Sequence, residues 1–334
     1  MSPAGRSVLL ILAALLMASC TASESRTPPA SGESSGQSVP SVPSVQPAPS
    51  LAAVAPWSPG PGEVRPEIKR AATEYLEAAG TWVGGAGDPA AVKSRLRAAG
   101  FGPAARAAGV VLAADAPQAR LRVIYPQYGG LTGTLASVMV IVEQTLLDHG
   151  GGTTTQSLVL DVRLTLANGS PVVTGIAELS AKDRGEREPA SSTARAVLQD
   201  PNIVLSGTGR QDVAEGRVEN SVLRILRTLA ASHELDVTVL RTGHPRNVFE
   251  TDRISNHTRG RAVDIWRIDG EPVADPTTPR ALLREVMVQA ARSGATEVGG
   301  PFDLNGVRPG FFTDRVHQDH VHIGITPGRR PARP

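Results

Sequence analysis

The chain is poor in cysteine, lysine and aromatic side chains, and each scarcity closes off a class of protein. Among 334 residues there is one cysteine, Cys20. With no second thiol, no disulfide framework can brace the fold. Phe, Tyr and Trp together make up 3% of the chain, and lysine occurs only at positions 69, 93 and 182. Arginine carries nearly all the positive charge, and the 34 basic residues face 32 acidic ones. No basic block with interleaved aromatics occurs, so nothing points to a nucleic-acid partner. The apolar run from Val8 to Ala18 is too short to span a bilayer as a mature helix.

What is present begins at the N-terminus. Arg6 followed by that apolar run and then small residues reads as a secretory signal. Met17-Ala18-Ser19-Cys20 resembles the bacterial lipoprotein signal, with Met17 in place of the usual leucine. The resemblance implies that residues 1–20 are a signal peptide and that Cys20 is diacylated after cleavage. Two acyl chains give lasting attachment where one gives only marginal binding. An extracytoplasmic protein, lipid-anchored to the outer face of a bacterial cell membrane, is therefore expected, an ordinary signal peptide being the alternative. Residues 21–65 are rich in Ser, Pro, Gly and Ala and contain the near-repeat Ser38-Val39-Pro40-Ser41-Val42-Pro43. Such a segment buries too little apolar surface to offset its ordering entropy, so a disordered tether is expected.

The remainder is long enough for two domains. Residues 66–198 read as an α+β accessory domain. Ile68, Ala71, Ala72, Tyr75 and Leu76 recur at helical spacing, and Asp88-Pro89 can open a second helix that Gly100 closes. Residues 121–125, 138–142 and 157–166 then read as strands, and Asn168-Gly169 as a hairpin turn. Two helices followed by a curled antiparallel sheet resemble cystatin-like and nuclear-transport-factor-like folds. No chemical motif marks this region, and the polar stretch 182–195 reads as a loop. Residues 199–326 read as a second α+β domain with a small antiparallel sheet, and 327–334 as a disordered basic tail.

Chemistry concentrates in that second domain. The chain has seven histidines, and four of them fall in Ser255-Asn256-His257-Thr258-Arg259-Gly260-Arg261-Ala262-Val263-Asp264 and His317-Gln318-Asp319-His320-Val321-His322. These stretches offer imidazole nitrogen and carboxylate oxygen, the ligands a catalytic zinc takes. An odd separation puts His257 and Asp264 on opposite faces of a regular strand, so a bend is required, and Gly260 can supply it. Asp264 lies inside an aliphatic strand, where a carboxylate is costly unless a cation or several donors satisfy it. Backbone amides or an arginine would serve as well as a metal. His320 and His322 share a strand face; paired with His257 and Asp264, His322 would complete a three-ligand site with one position open for water.

These motifs resemble the zinc D-Ala-D-Ala carboxypeptidases and D,D-dipeptidases, whose fold the hedgehog signalling domain shares. The His-x-Asp-His-x-His ending is similar to the Streptomyces form of the carboxypeptidase. The resemblance covers about residues 200–326 and implies a hedgehog/D,D-peptidase-like domain with His257, Asp264 and His322 as zinc ligands. By it Asp319 matches the general base, where many relatives carry Glu, and His317 matches a histidine that helps stabilise the oxyanion. Arg241 matches an arginine at the substrate carbonyl, and His320 and Ser255 match supporting positions behind the ligands. A zinc site of this kind lowers the pKa of water from ~16 towards ~7, a carboxylate can move the proton, and one oxyanion donor is typically worth ~3 kcal/mol.

The resulting expectation is a Zn2+-dependent peptidase acting on peptidoglycan stem peptides, as a D,D-carboxypeptidase or D,D-endopeptidase. The rivals are a non-catalytic zinc-bearing lipoprotein that binds cell wall or protein, and a lipoprotein whose working part is the first domain. Three other motif matches fail. His233-Glu234-Leu235-Asp236-Val237 lacks the second ligand of a His-Glu-x-x-His helix. Gly32-Glu33-Ser34-Ser35-Gly36 lies in the tether, without the strand–turn–helix frame of a nucleophile elbow, so the oxyanion-loop pattern at His149-Gly150-Gly151-Gly152 has no nucleophile to serve.

Overall fold

Pro66, with its φ preset for the first helical turn, opens α1 (Pro66–Gly80), which buries Ile68, Ala72, Tyr75, Leu76 and Ala79 along one face. α2 (Pro89–Ala98) starts on Asp88, whose carboxylate accepts from the Ala90 and Ala91 N–H groups. In the computed structural model, which describes residues 50–105, 112–177, 188–306 and 308–334, these helices pack on an antiparallel meander. Its strands are β1 (Gln118–Leu131), β2 (Leu135–Leu147), β3 (Thr153–Ala167) and β4 (Ser170–Ala177), in the order β1-β2-β3-β4. Asn168 and Gly169 both have positive φ, 51° and 83°, as the expected hairpin turn requires.

The second sheet has seven strands and is mixed. α3 (Ser192–Gln199) leads to β5 (Ile203–Leu205), α4 (Gly207–Ala214), α5 (Asn220–Ala230) and β6 (Leu235–Val239). β7 (Ala262–Ile268), β8 (Glu271–Pro272), α6 (Arg280–Arg292), β9 (Glu297–Gly299), β10 (Phe311–Phe312) and β11 (Val321–Gly324) complete the chain. The order is β10-β9-β11-β7-β6-β5, with β8 on β7. β5 pairs with β6 in parallel, as does β10 with β9. The small antiparallel sheet expected for residues 199–326 is thus larger and mixed, because helices α4 and α5 form a crossover that returns the chain in the same direction. The α+β class stands.

Strand periodicity decides what each face of this sheet meets. Val263 and Ile265 of β7, with Val321 and Ile323 of β11, join the core that contains α5 and α6. Asp264, Trp266 and His322 occupy the alternate positions, on the opposite face. There Trp266 and Val239 pack with Tyr125, Met139, Ile141 and Val159 of the first sheet, and the Tyr125 and Trp266 rings stack at 4.4 Å. The stretch Ala48–Pro334 is one compact unit.

Three expectations change. The stretch read as a loop contains the start of α3, because Ser191 caps the helix by accepting from the Ala194 N–H. Ordered structure begins inside the expected tether: the Trp57 N–H donates to Glu77 and the Leu51 N–H to Gln118. The basic tail is docked, with Ala332 buried and its N–H donating to Ala295 O at 2.8 Å, where Gly310 leaves no Cβ in the way. Residues 1–49, Cys20 among them, lie outside the described residues. No helix among the described residues is long and apolar enough to cross a membrane.

Leu226, fully buried on α5, ties the helix layer to the second sheet. Leu226→Ala should lower unfolding free energy by about 2–5 kcal/mol, read as a lower denaturant midpoint at an unchanged slope.

Candidate metal centre

His257 sits where the chain reverses after a long excursion from β6. Gly260, at φ 67°, closes the turn by donating its N–H to His257 O at 2.8 Å, and a Cβ there would lie 2.1 Å from Arg217 O. His257 Nδ1 lies 2.9 Å from Leu240 O. A carbonyl only accepts, so Nδ1 carries the proton and Nε2 is left with a lone pair. Asp264 and His322 need no loop to meet, because the β7–β11 register places them directly opposite.

The resulting cluster is tight. His257 Nε2 lies 3.1 Å from Asp264 Oδ1 and 3.2 Å from His322 Nδ1, and His322 Nδ1 lies 2.9 Å from Asp264 Oδ1. Tetrahedral ligands at zinc's usual bond lengths stand ~3.3 Å apart, so the spacing is that of one ion's donor set. His244, His257 and Asp264 also offer ligand atoms all within 4.8 Å of one another, a group that could hold a metal ion. His244 fits such a set less well. Its ring lies 4.0 Å from that of His257 at an interplanar angle of 12°. In-plane lone pairs of two parallel rings do not converge on one ion, whereas those of His257 and His322, at 58°, can.

Electrostatics points the same way. Burial acts to raise the Asp264 carboxyl, yet His257, His320 and the bonded imidazoles hold it well below the usual range. Burial acts against charge on His322, but its bonds to Asp264 and Glu297 push it up to about 10. Burial opposes the Glu297 charge too, and His322 and Asn256 draw its pKa to about 2. Burial, then the neighbouring His257, holds His244 well below an ordinary imidazole. The cluster is built around a carboxylate and demands positive charge beside it.

The other expected residues divide. His317 and His320 line the same cavity of about 590 Å³ as His257, Asp264 and His322. His317 Nδ1 lies 2.8 Å from Asp314 Oδ1, and burial outweighs that carboxylate to lower its pKa. Ser255 lines the cavity and its hydroxyl accepts the His257 N–H. Asp319 is buried and does not line the cavity. Its Oδ2 meets Lys69 Nζ at 2.6 Å and the Tyr128 N–H at 3.0 Å, and its Oδ1 meets His320 Nδ1 at 2.7 Å. Arg241 is absent from the cavity wall; its Nε donates to Thr258 O at 3.0 Å and braces the turn that carries His257. The 247–254 loop supplies Val248, Phe249, Arg253 and Ile254 to the wall.

Sequence reasoning missed Glu297, Lys69, Gln127 and Tyr128. Lys69 left a trace, being a lysine in step with the apolar positions Ala72, Leu76 and Ala79 of α1. Glu297 and Gln127 left none, since their roles depend on pairing between distant strands. Comparisons with protein-family models, curated proteins and solved structures found no match for the chain.

Glu297 lies 3.6 Å from His322 Nε2 and accepts from Asn256, so it orients the imidazole that faces Asp264. Glu297→Gln should weaken metal binding ~10–100-fold. Asp264→Asn should abolish it, as read by equilibrium dialysis.

Proposed function

We propose that this chain is a zinc-dependent peptidase that hydrolyses peptidoglycan stem peptides, acting as an extracytoplasmic lipoprotein anchored through Cys20. The observation that carries the reading is the set of three ligand atoms, 2.9–3.2 Å apart, on the wall of a cavity of about 590 Å³. Two imidazoles and a carboxylate suit zinc and leave a position open; His257 bonds Leu240 O through its other ring nitrogen, and that of His322 faces Glu297 at 3.6 Å. Bound zinc would supply a Lewis acid that makes water a nucleophile near neutral pH. The motif resemblance and the signal-like N-terminus support the choice of substrate and compartment. Arg253, Arg259 and Arg329 on the cavity wall suit a peptide that carries carboxylates.

The geometry redistributes the roles. Asp319 has both oxygens engaged within the protein, which suits it to hold His320 and the start of β11. His317, neutral and donating Nδ1–H to Asp314, presents Nε2 as a proton acceptor on the cavity wall. We therefore assign the proton transfer to His317, with Asp314 holding its tautomer.

A second reading, a zinc-bearing binder without turnover, draws on the same observation that Asp319 and Arg241 are turned to structural contacts. Digestion of purified peptidoglycan with mass analysis of the products separates the two. New chelator-sensitive products are expected, and intact muropeptides from zinc-loaded protein would leave the binder. His317→Ala should lower kcat ~10²–10⁴-fold with zinc retained. The acidic limb of the rate profile should fall below the 6.5 of an ordinary imidazole, because the base must be deprotonated and its pKa is lowered.

A further inference from the structure

No chemical motif marks residues 66–198, yet the first sheet reaches the metal centre through its edge strand. Shifts in the pairing of β1 with β2 fall between Val123 and Tyr125 and between Tyr128 and Gly130. Such irregularities re-aim side chains and sharpen the local twist. Pro126 sits between them, a residue that edge strands tolerate. Within this short segment Gln127 Nε2 donates to Asp264 Oδ2 at 2.7 Å, and the Tyr128 N–H donates to Asp319 Oδ2 at 3.0 Å.

We infer that Gln127 and Lys69 are positioning residues of the metal centre, so that the first sheet and helix α1 hold in place a donor set that the second sheet supplies. What the centre catalyses rests on the proposed function; its metal affinity does not.

Gln127 carries the stronger half of the case. It is fully buried, and its Oε1 has no hydrogen-bond partner. Turning the amide over would set that oxygen against the Asp264 carboxylate, acceptor against acceptor, so the orientation is determined. A buried acceptor left unpaired is destabilising, and a methionine of similar size would avoid it. The amide offsets that by occupying Oδ2, which leaves Oδ1 as the oxygen that faces His257 and His322. One carboxylate oxygen is thereby reserved for the ion and the other is tied to the scaffold, the usual task of groups that support metal ligands.

Lys69 does the same one step further out. Its buried ammonium lies 2.6 Å from Asp319 Oδ2, pairs with Glu63, and sits 5.0 and 5.2 Å from the ring centres of Tyr125 and Tyr128. A buried charge persists only when paired. Lys69 belongs to α1 and Asp319 leads into β11, so the pair pins the strand that carries His322 to the first helix.

The test is zinc affinity of the purified full chain, read by competition with a chromogenic chelator. Gln127→Met should weaken zinc binding ~10–100-fold, and Lys69→Met should weaken it in the same direction. Leu76→Ala, a core change in the same helix, should lower stability and leave zinc affinity unchanged. Arg122→Ala, exposed on β1, should alter neither. Should Gln127→Met fail to fold, Gln127→Asn, too short to reach Asp264, takes its place with the same expected loss. Wild-type affinity in the Gln127 variant overturns the inference, as does an equal loss in Leu76→Ala. Failure of the peptidase reading shows separately, as intact peptidoglycan after treatment with a wild-type chain that binds zinc. The zinc measurement then still decides the role of Gln127.

Discussion

The burial of the Asp264 carboxylate between two sheets is the constraint from which the arrangement follows. Alternation along β7 gives Val263 and Ile265 to the helix layer and Asp264 to the other face. That face is covered by the first sheet, with Tyr125 stacked on Trp266 one pleat away. A carboxylate in such a place needs partners for both oxygens. The strand opposite supplies His322 by register, the Gly260 turn supplies His257, and the first sheet supplies Gln127.

Three carboxylates cluster here, and they are balanced differently. Asp319 has the Lys69 Nζ beside it at 2.6 Å, shared with Glu63. Glu297 accepts from Asn256 and lies near His322. Asp264 faces an amide and imidazoles, which are neutral unless they bind a proton. At a separation of 4 Å, a unit charge pair is worth about 4 kcal/mol even at an effective dielectric of 20. The centre therefore takes up positive charge from whatever source offers it. Without an ion the source is a proton, which is why His322 is driven up to about 10. A divalent cation meets the same demand and frees His322 to be a neutral ligand.

Much of this was legible in the sequence, and the illegible part has one cause. Elements with strong periodicity, α1, β3 and β7, stand close to where the pattern put them. The Asn168-Gly169 hairpin and the Gly260 bend follow from local chemistry that a few residues specify. The parallel pairings of β5 with β6 and β9 with β10 were not legible, because short strands give too little pattern to fix a partner. Contacts across sheets were lost altogether. Gln127 reads as an ordinary polar residue in an edge strand, and only the packing of β1 on β7 gives it Asp264. Ala332 reads as part of a disordered tail until the Cβ-free space at Gly310 is known.

The same limit explains why Asp319 and His317 exchange weight between sequence and structure. The motif resemblance gives Asp319 the general-base role and His317, two residues before it, the oxyanion. The fold gives Asp319 a lysine from helix α1, a backbone N–H from the first sheet and His320, and so uses up the acceptor sites a proton-moving carboxylate would need free. His317 instead packs edge-on to Phe312 at 4.7 Å, with Asp314 three residues back along its own loop fixing the proton on Nδ1. A local partner sets a tautomer without removing the other nitrogen from the cavity. A long-range ion pair holds a strand in place but occupies the group that holds it. By that distinction Asp319 serves the scaffold, and in the proposed peptidase the proton transfer falls to the histidine.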